Sequence, residues 1–236
     1  MKIIVRTVGE RTRDECIRRA RLEGDVDVIE GITPFHEVLR ATYETGVRYD
    51  QDWVPVVDGD VLLKDGVIAQ AVHELRYMGN VFCLDGRTKD KILHTVRRAG
   101  IHIYNRRMLE QALEYVKDSI KPETRAREAM ANNHNAYTHV GAIVFGYHDY
   151  EQYYRDLYRK AYLQTRKLRT KLPRFMKRWP QLALRDDDYK VIIAANRVAW
   201  NRECEVAFDA SIYYDADDAI ARLGLEEKGP YEAIHV

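Results

Sequence analysis

Trp53-Val54-Pro55-Val56-Val57-Asp58-Gly59-Asp60 is an apolar, strand-forming run that stops at two carboxylates separated by one glycine. In a half-buried strand, residues i and i+2 point to the same face. Asp58 and Asp60 are therefore expected to face one divalent cation, with Gly59 letting the backbone turn. Hard cations such as Mg2+ or Mn2+ take oxygen ligands and keep water or phosphate oxygens in the rest of the shell. The residues read as a metal-phosphate site of the kind that holds a nucleoside diphosphate; the alternative is a plain strand-end turn.

Position in the chain separates this pair from the others. Asp186-Asp187-Asp188 and Asp215-Ala216-Asp217 lie in polar segments late in the sequence, where a helix cap or a solvated face is the simpler reading. An EF-hand loop starting at Asp58 would need an oxygen ligand at Leu62 and a glycine at Leu63, and has neither. Upstream, strand and helix alternate. Lys2 to Thr7 forms a short apolar strand, and Thr12-Arg13-Asp14-Glu15 has the capping-box pattern that opens a helix to about Leu22. Asp25 to Ile29 is the second strand. Thr33-Pro34 then places a cap before a proline at the first helical position, with Val38, Leu39, Thr42 and Tyr43 as the apolar face.

This β-α-β-α-β order points to a parallel α/β sheet covered on both faces, which binds ligands beyond the carboxyl ends of its strands. Thr7 to Arg11, Glu30 and Asp58-Gly59-Asp60 all fall there. The turn from Thr7 to Arg11 leads into a helix N-terminus, whose open N–H groups suit a phosphate, and Arg6 and Arg11 add charge-assisted bonds. An ordinary connecting loop with solvated arginines is the alternative.

Downstream, Asn80 to Asp85 reads as a strand, Asp85-Gly86-Arg87-Thr88 as a turn, Ile101 to Tyr104 as a short strand and Arg107 to Asp118 as an amphipathic helix. Lys121-Pro122-Glu123-Thr124 starts another helical stretch. Glu123 is a candidate general base for an acceptor hydroxyl, or an early acidic residue favoured by the helix dipole. Gly141 to Gly146 is a buried-strand candidate. Asp149 with Gln152 repeats the capping-box pattern, so a helix carrying Tyr150, Tyr154, Leu157, Tyr158 and Ala161 is expected to begin there. His148 then stands just outside a helix N-terminus, free to reach a metal held by Asp58 and Asp60; a structural or solvated histidine is the alternative. Zinc fits poorly, because His134, His139 and His148 lack the spacing of a zinc motif.

The 38 basic and 37 acidic residues nearly cancel, which argues against bulk binding of nucleic acid. Three widely spaced cysteines, Cys16, Cys83 and Cys204, make no disulfide framework, so a cytoplasmic setting is expected. Met1 to Arg6 enters a strand pattern rather than a signal peptide, and no apolar run approaches the ~20 residues of a membrane span. From Arg166 to Trp179 basic residues interleave with Leu172, Phe175, Met176 and Trp179. Such a stretch can meet anionic lipid head groups at the inner face of a membrane, or a polyanionic acceptor; alternatively it is a solvated helical face with its apolar side packed on the domain. Asp187 to Trp200 and Asp217 to Leu225 read as further helices, and Glu226 to Val236 as a tail.

Together, Arg6-Thr7 at the first strand end, Glu30 after the second, Asp58-Gly59-Asp60 after the third and a late histidine resemble a GT-A fold glycosyltransferase of the broad family-two type. Lys121-Pro122-Glu123-Thr124 and Tyr147-His148-Asp149-Tyr150-Glu151-Gln152-Tyr153-Tyr154 are similar to segments of a small bacterial and phage group of such proteins. The resemblance implies a GT-A, Rossmann-like, mixed but mainly parallel sheet flanked by helices over residues 1–165, with a helical extension over 166–236. It implies a metal-dependent transfer of a sugar, of hexosyltransferase type, from a UDP- or GDP-linked donor to a glycan, lipid-linked or other hydroxyl acceptor. Mn2+ or Mg2+ would sit on Asp58, Asp60 and His148, and Arg6, Thr7, Arg11 and Glu30 would contact the donor nucleotide. The first loop departs from the usual threonine-aromatic-asparagine sequence, and a clear catalytic Glu-Asp pair is lacking. Two other classes remain: a nucleotidyltransferase of related fold, although Gly9 is the only glycine where a richer Gly-x-Gly loop with a lysine would be wanted, and a non-catalytic nucleotide- or glycan-binding protein.

Overall fold

The alternation at the N-terminus builds one half of a mixed sheet. In the computed structural model, which describes residues 1–119, 121–202 and 211–232, strand β1 (Lys2–Thr7) is followed by α1 (Arg13–Arg21), β2 (Asp25–Glu30), α2 (Phe35–Val47) and β3 (Trp53–Asp58). β1 pairs in parallel with both β2 and β3. The chain then turns at Gly59-Asp60 into β4 (Val61–Leu63) and α3 (Val67–Leu75). β5 (Val81–Asp90) and β6 (Thr95–Asn105) follow, then a 3-10 turn (Arg106–Met108), α4 (Leu109–Leu113), α5 (Pro122–His134), β7 (Tyr137–His139) and β8 (Val144–His148). The strand order is β2-β1-β3-β6-β5-β8-β4, with β7 also on β5. β5 pairs in parallel with β7 and β8, whereas β3–β6 and β4–β8 are antiparallel. The fold is α/β, a mixed sheet flanked by helices.

Each sheet face is covered as the alternating apolar residues require. Ile3, Val5 and Val57 pack with Cys16, Ile17, Ile68 and Leu75 on one side; Ile4, Val54 and Val56 pack with Leu39, Tyr43, Leu109 and Met130 on the other. Two expectations change here. The segment Asp85-Gly86-Arg87-Thr88 is not a turn but the middle of β5, and Gly86 is there because a Cβ would lie 2.7 Å from the Cβ of Ile101 on β6. The amphipathic helix expected from Arg107 to Asp118 shrinks to the 3-10 turn and the five residues of α4.

The chain divides into two compact units, Met1–Asp90 with Val96–Tyr150 and Lys91–Thr95 with Glu151–Val236. The second comprises α6 (Tyr154–Lys167), the short helices α7 (Pro173–Met176) and α8 (Trp179–Leu182), α9 (Asp187–Asn201) and α10 (Ser211–Arg222). Residue 165, where a boundary was expected, falls inside α6, whose buried residues Leu157, Tyr158, Ala161 and Tyr162 join Ile192 and Ala195 of α9 in the core of the second unit. Asp186 caps α9, accepting from the Asp188 amide at 3.1 Å. In the C-terminal segment, Glu227 accepts from the amides of Tyr154 and Arg155 at 2.7 and 3.0 Å and so satisfies the α6 N-terminus. Among the described residues no helix is long and apolar enough to cross a membrane. Cys16 and Cys83 are buried thiols, and Cys204 lies outside the described residues.

Candidate functional site

The turn after β3 is tied down on three sides. The Gly59 amide donates to the Arg6 carbonyl at 2.8 Å, the Thr12 hydroxyl donates to the Gly59 carbonyl at 3.1 Å, and the Asp149 amide donates to the Asp60 carbonyl at 3.2 Å. Thr12 thus spends its hydroxyl on the turn and makes no side-chain cap of α1. A Cβ on Gly59 would lie 2.8 Å from Glu10 Oε2 and 3.0 Å from the Thr7 side chain, so only glycine lets the first loop come this close. Because the chain leaves strand geometry at Gly59, the two aspartates take different surroundings.

Asp60 meets His148. Antiparallel pairing of β4 with β8 sets Val61 opposite His148, and His148 Nε2 lies 3.6 Å from Asp60 Oδ1. On its other side the ring's Nδ1 is 3.1 Å from Asp90 Oδ2 and 3.0 Å from Asp149 Oδ2. Asp90 is fully buried at the end of β5 and is itself paired with Arg97 at 2.7 Å. This is the arrangement in which an outer carboxylate fixes the tautomer of a ligating imidazole and leaves the opposite nitrogen for a metal. Asp60, His148 and Asp149 each offer a ligand atom, all within 4.8 Å of one another, an oxygen-rich set with one nitrogen that suits Mn2+ or Mg2+. Burial works against a charged ring, yet the carboxylates of Asp149 and Asp60 outweigh it and hold His148 well above the ordinary histidine range.

The capping-box pattern predicts Asp149 as a helix cap. Instead it has φ +62°, Glu151 has φ +58°, and α6 begins only at Tyr154. The carboxylate that would have capped a helix goes to the His148 ring. Gly100, φ +70°, makes room for that ring: a Cβ there would sit 2.9 Å from His148 Cδ2 and 2.4 Å from Val61 Cγ2. Gly100→Ala is expected to cost about 1–3 kcal/mol through overpacking and, by pushing the imidazole, to weaken Mn2+ binding about tenfold. Denaturant unfolding and a Mn2+ titration check the two effects separately.

Asp58 lies instead with Arg6. Its Oδ1 accepts from Arg6 Nε at 2.8 Å and lies 2.6 Å from Nη2. Arg6 is 3% exposed, and its Nη1 donates to Glu123 Oε1 at 2.9 Å. Glu123, in the first turn of α5, also accepts from the Tyr104 hydroxyl at 2.6 Å, and its Oε2 is 3.0 Å from His102 Nε2. Although burial alone would raise it, Arg6 and His102 hold the Glu123 carboxyl well below the usual range. Both oxygens are engaged and the proton affinity is lowered, which is the geometry of a buried counter-ion.

His102 continues the chain of charges. Its Nδ1 is 2.9 Å from Asp85 Oδ1, and Arg127 Nη1 lies within hydrogen-bonding reach of both groups. Cys83, Asp85 and His102 have metal-like spacing, but the Arg127 guanidinium occupies the charge position a cation would take.

Thr7 and Glu30 are register partners at the carboxyl ends of β1 and β2. The Thr7 hydroxyl donates to Glu10 Oε2 at 2.5 Å, and the Val8 amide donates to the same oxygen at 3.1 Å, so a carboxylate already fills part of the loop where a phosphate was expected. Glu30 is 47% exposed and paired with Arg13 at 2.8 Å; Arg11, two residues before Arg13, is half-buried. Phe35, 43% exposed at the start of α2, stands 5.3 Å from the Arg6 guanidinium, a position that no sequence pattern marks.

No family model matches the chain, and no curated protein matches it. Among solved structures it is similar to a mannosyltransferase from Pyrobaculum calidifontis in complex with GDP-Man and Mn2+, at 13% identity and a TM-score of 0.47, covering 94% of this chain and 74% of that one. A putative nucleotide-diphospho-sugar transferase from Desulfovibrio desulfuricans aligns at 8% identity and a TM-score of 0.44, covering 86% of this chain and 99% of that one. A cytidylyltransferase from Leptospira borgpetersenii aligns at 15% identity and a TM-score of 0.39, covering 97% and 80%. At this distance the likenesses bear on chain path alone.

Proposed function

We propose that this chain is a metal-dependent glycosyltransferase that moves a sugar from a nucleoside-diphosphate donor to a hydroxyl acceptor. The observation that carries the reading is the convergence of Asp60, His148 and Asp149 at the turn that closes β3, beside Asp58 and the carboxyl ends of β1 and β2. Asp60 and His148, through Nε2, would hold Mn2+ or Mg2+, with Asp149 beside Asp90 on the Nδ1 side of the ring, and Asp58 would supply a further carboxylate through Oδ2. Such a cation neutralises the charge that develops on a departing diphosphate. The protein's own contribution is rigidity: Asp90 orients His148, Arg6 orients Asp58, and the hydrogen bonds to Gly59 and Asp60 fix the turn. Thr7, Arg11 and Glu30 form the donor side, where Phe35 adds an apolar ring face for a nucleobase.

Thermal-shift titration with nucleoside diphosphates and triphosphates, each with and without Mn2+, tests this reading. A stabilisation by diphosphate that requires Mn2+ supports it. Preference for triphosphate would favour the nucleotidyltransferase, and metal-independent binding the non-catalytic reading. The charged state of His148 adds a pH test. Metal and proton compete for that ring, and its folded value is raised, so Mn2+ affinity is expected to climb as pH rises through the neutral range into the alkaline. A His148→Gln variant should bind weakly and lose most of that slope, measured by titration calorimetry across pH.

A further inference from the structure

Residues Arg166 to Arg185 hold eight basic residues and no acidic one, leaving 30 basic against 37 acidic residues in the rest of the chain. The local excess is hidden in a net charge of +1. Backbone bonds from the Lys171 and Leu172 amides to the Leu168 carbonyl, from Phe175 and Met176 to Leu172, from Leu182 to Arg178 and from Ala183 to Trp179 wind this segment into successive helical turns. Its apolar side is already used: Leu172 and Trp179 are buried, and Leu168, Phe175, Met176, Leu182 and Ala183 pack against the same core. Arg169, Lys171, Arg174, Lys177, Arg178 and Arg185 are all exposed. None of these six pairs with a carboxylate among the described residues. Beside them Leu184 is 85% exposed.

We infer that this basic ridge docks on an anionic phospholipid surface, with Leu184 as its apolar contact. Clustered lysines and arginines are drawn to the negative potential of acidic lipid, and an exposed aliphatic side chain gains by entering the interface. Single-stranded nucleic acid fits the same charge but not the rest. Such partners are held by bases stacked on exposed aromatic rings, whereas here Trp179 is 2% exposed and the Phe175 ring is covered by the Arg174 guanidinium at 4.4 Å. What remains open to a partner is positive charge and one leucine.

Cosedimentation of the full chain with vesicles of phosphatidylcholine alone, and of phosphatidylcholine mixed with phosphatidylglycerol, tests the inference. Binding is expected only to the mixed vesicles and should be lost near 1 M salt, where the screening length falls to about 3 Å. At roughly fivefold per charge, Arg174→Gln/Lys177→Gln/Arg178→Gln should bind about a hundredfold more weakly. Leu184→Ser should weaken binding while leaving the salt dependence intact. A control with the same net charge, Lys64→Gln/Arg76→Gln/Lys117→Gln, changes exposed residues elsewhere and should bind as the parent does. Absence of binding to the mixed vesicles, equal loss in the control, or tighter binding of a single-stranded oligonucleotide than of anionic vesicles would each overturn the inference.

Discussion

Asp60→Ala is expected to abolish both manganese binding and sugar transfer while the protein stays folded. Removing an outer carboxylate from a metal site already costs tenfold to a hundredfold in affinity, and Asp60 is proposed as a ligand itself, so the loss should exceed about a hundredfold. Folding should tolerate the change. Asp60 is one of three carboxylates around a charged imidazole, and Asp90 is also paired with Arg97. In the metal-free protein, alanine removes one partner of that ring and should cost only a little stability, because Asp90 and Asp149 remain. Asp58→Ala should act differently, because Asp58 Oδ1 is the partner of Arg6: metal affinity falls less and stability falls more. The measurements are a Mn2+ titration and a denaturant midpoint for each variant, taken without metal. Equal Mn2+ affinity in Asp60→Ala and the parent would sink the metal assignment. Loss through Asp58 alone would show that the cation sits on the Arg6 side of the turn.

How much of this site the sequence discloses follows from which interactions are local. β1, α1, β2, α2 and β3 emerge within a few residues of their expected bounds, since apolar periodicity and turn residues specify them locally. β4 and α3 had no expectation at all, and β4 is the strand whose pairing with β8 carries His148 to Asp60. No spacing rule reveals that a residue 88 positions on from Asp60 shares its turn. Gly86 carried a turn signal, and only its approach to Ile101 explains a glycine inside a strand. For Asp149, helix capping lost to the ring of the preceding residue, His148, which the distant Asp60 and Asp90 hold in place. A carboxylate directly following a candidate ligand histidine was the one available hint. Arg6 is the converse case: charge and position suggested a phosphate ligand, but two carboxylates, one of them 117 residues away, hold it inside the fold.

Glu123→Gln separates the two roles open to that residue. If Glu123 took the proton from an acceptor hydroxyl, the amide would lower turnover about a hundredfold to ten-thousandfold at little cost in stability. As the counter-ion between Arg6 and His102, it should instead unfold the protein more readily and leave most of the turnover in the folded fraction. Breaking a buried pair by removing one partner costs about 3–5 kcal/mol, and the largest effect is expected for Arg6→Met, which strands Asp58 and Glu123 together. Arg6→Met/Glu123→Gln should recover much of that loss, since the remaining buried group is then neutral and still accepts from Tyr104. The pH dependence has a definite sign. Glu123 is lowered on folding, so its contribution is present above the ordinary carboxylate range and lost as pH falls through its depressed value. His102 is raised despite burial, because of the neighbouring Glu123 and Asp85, so its contribution is complete below the ordinary histidine value of about 6.5 and lost as pH rises through the folded one. Between those limits the network is at its most stabilising. Denaturant midpoints across pH should show the parent falling off on both sides, with the acid limb flattened in Glu123→Gln. A variant that keeps the parent's midpoints and loses turnover would return Glu123 to the reacting atoms and leave Asp58 held by Arg6 alone.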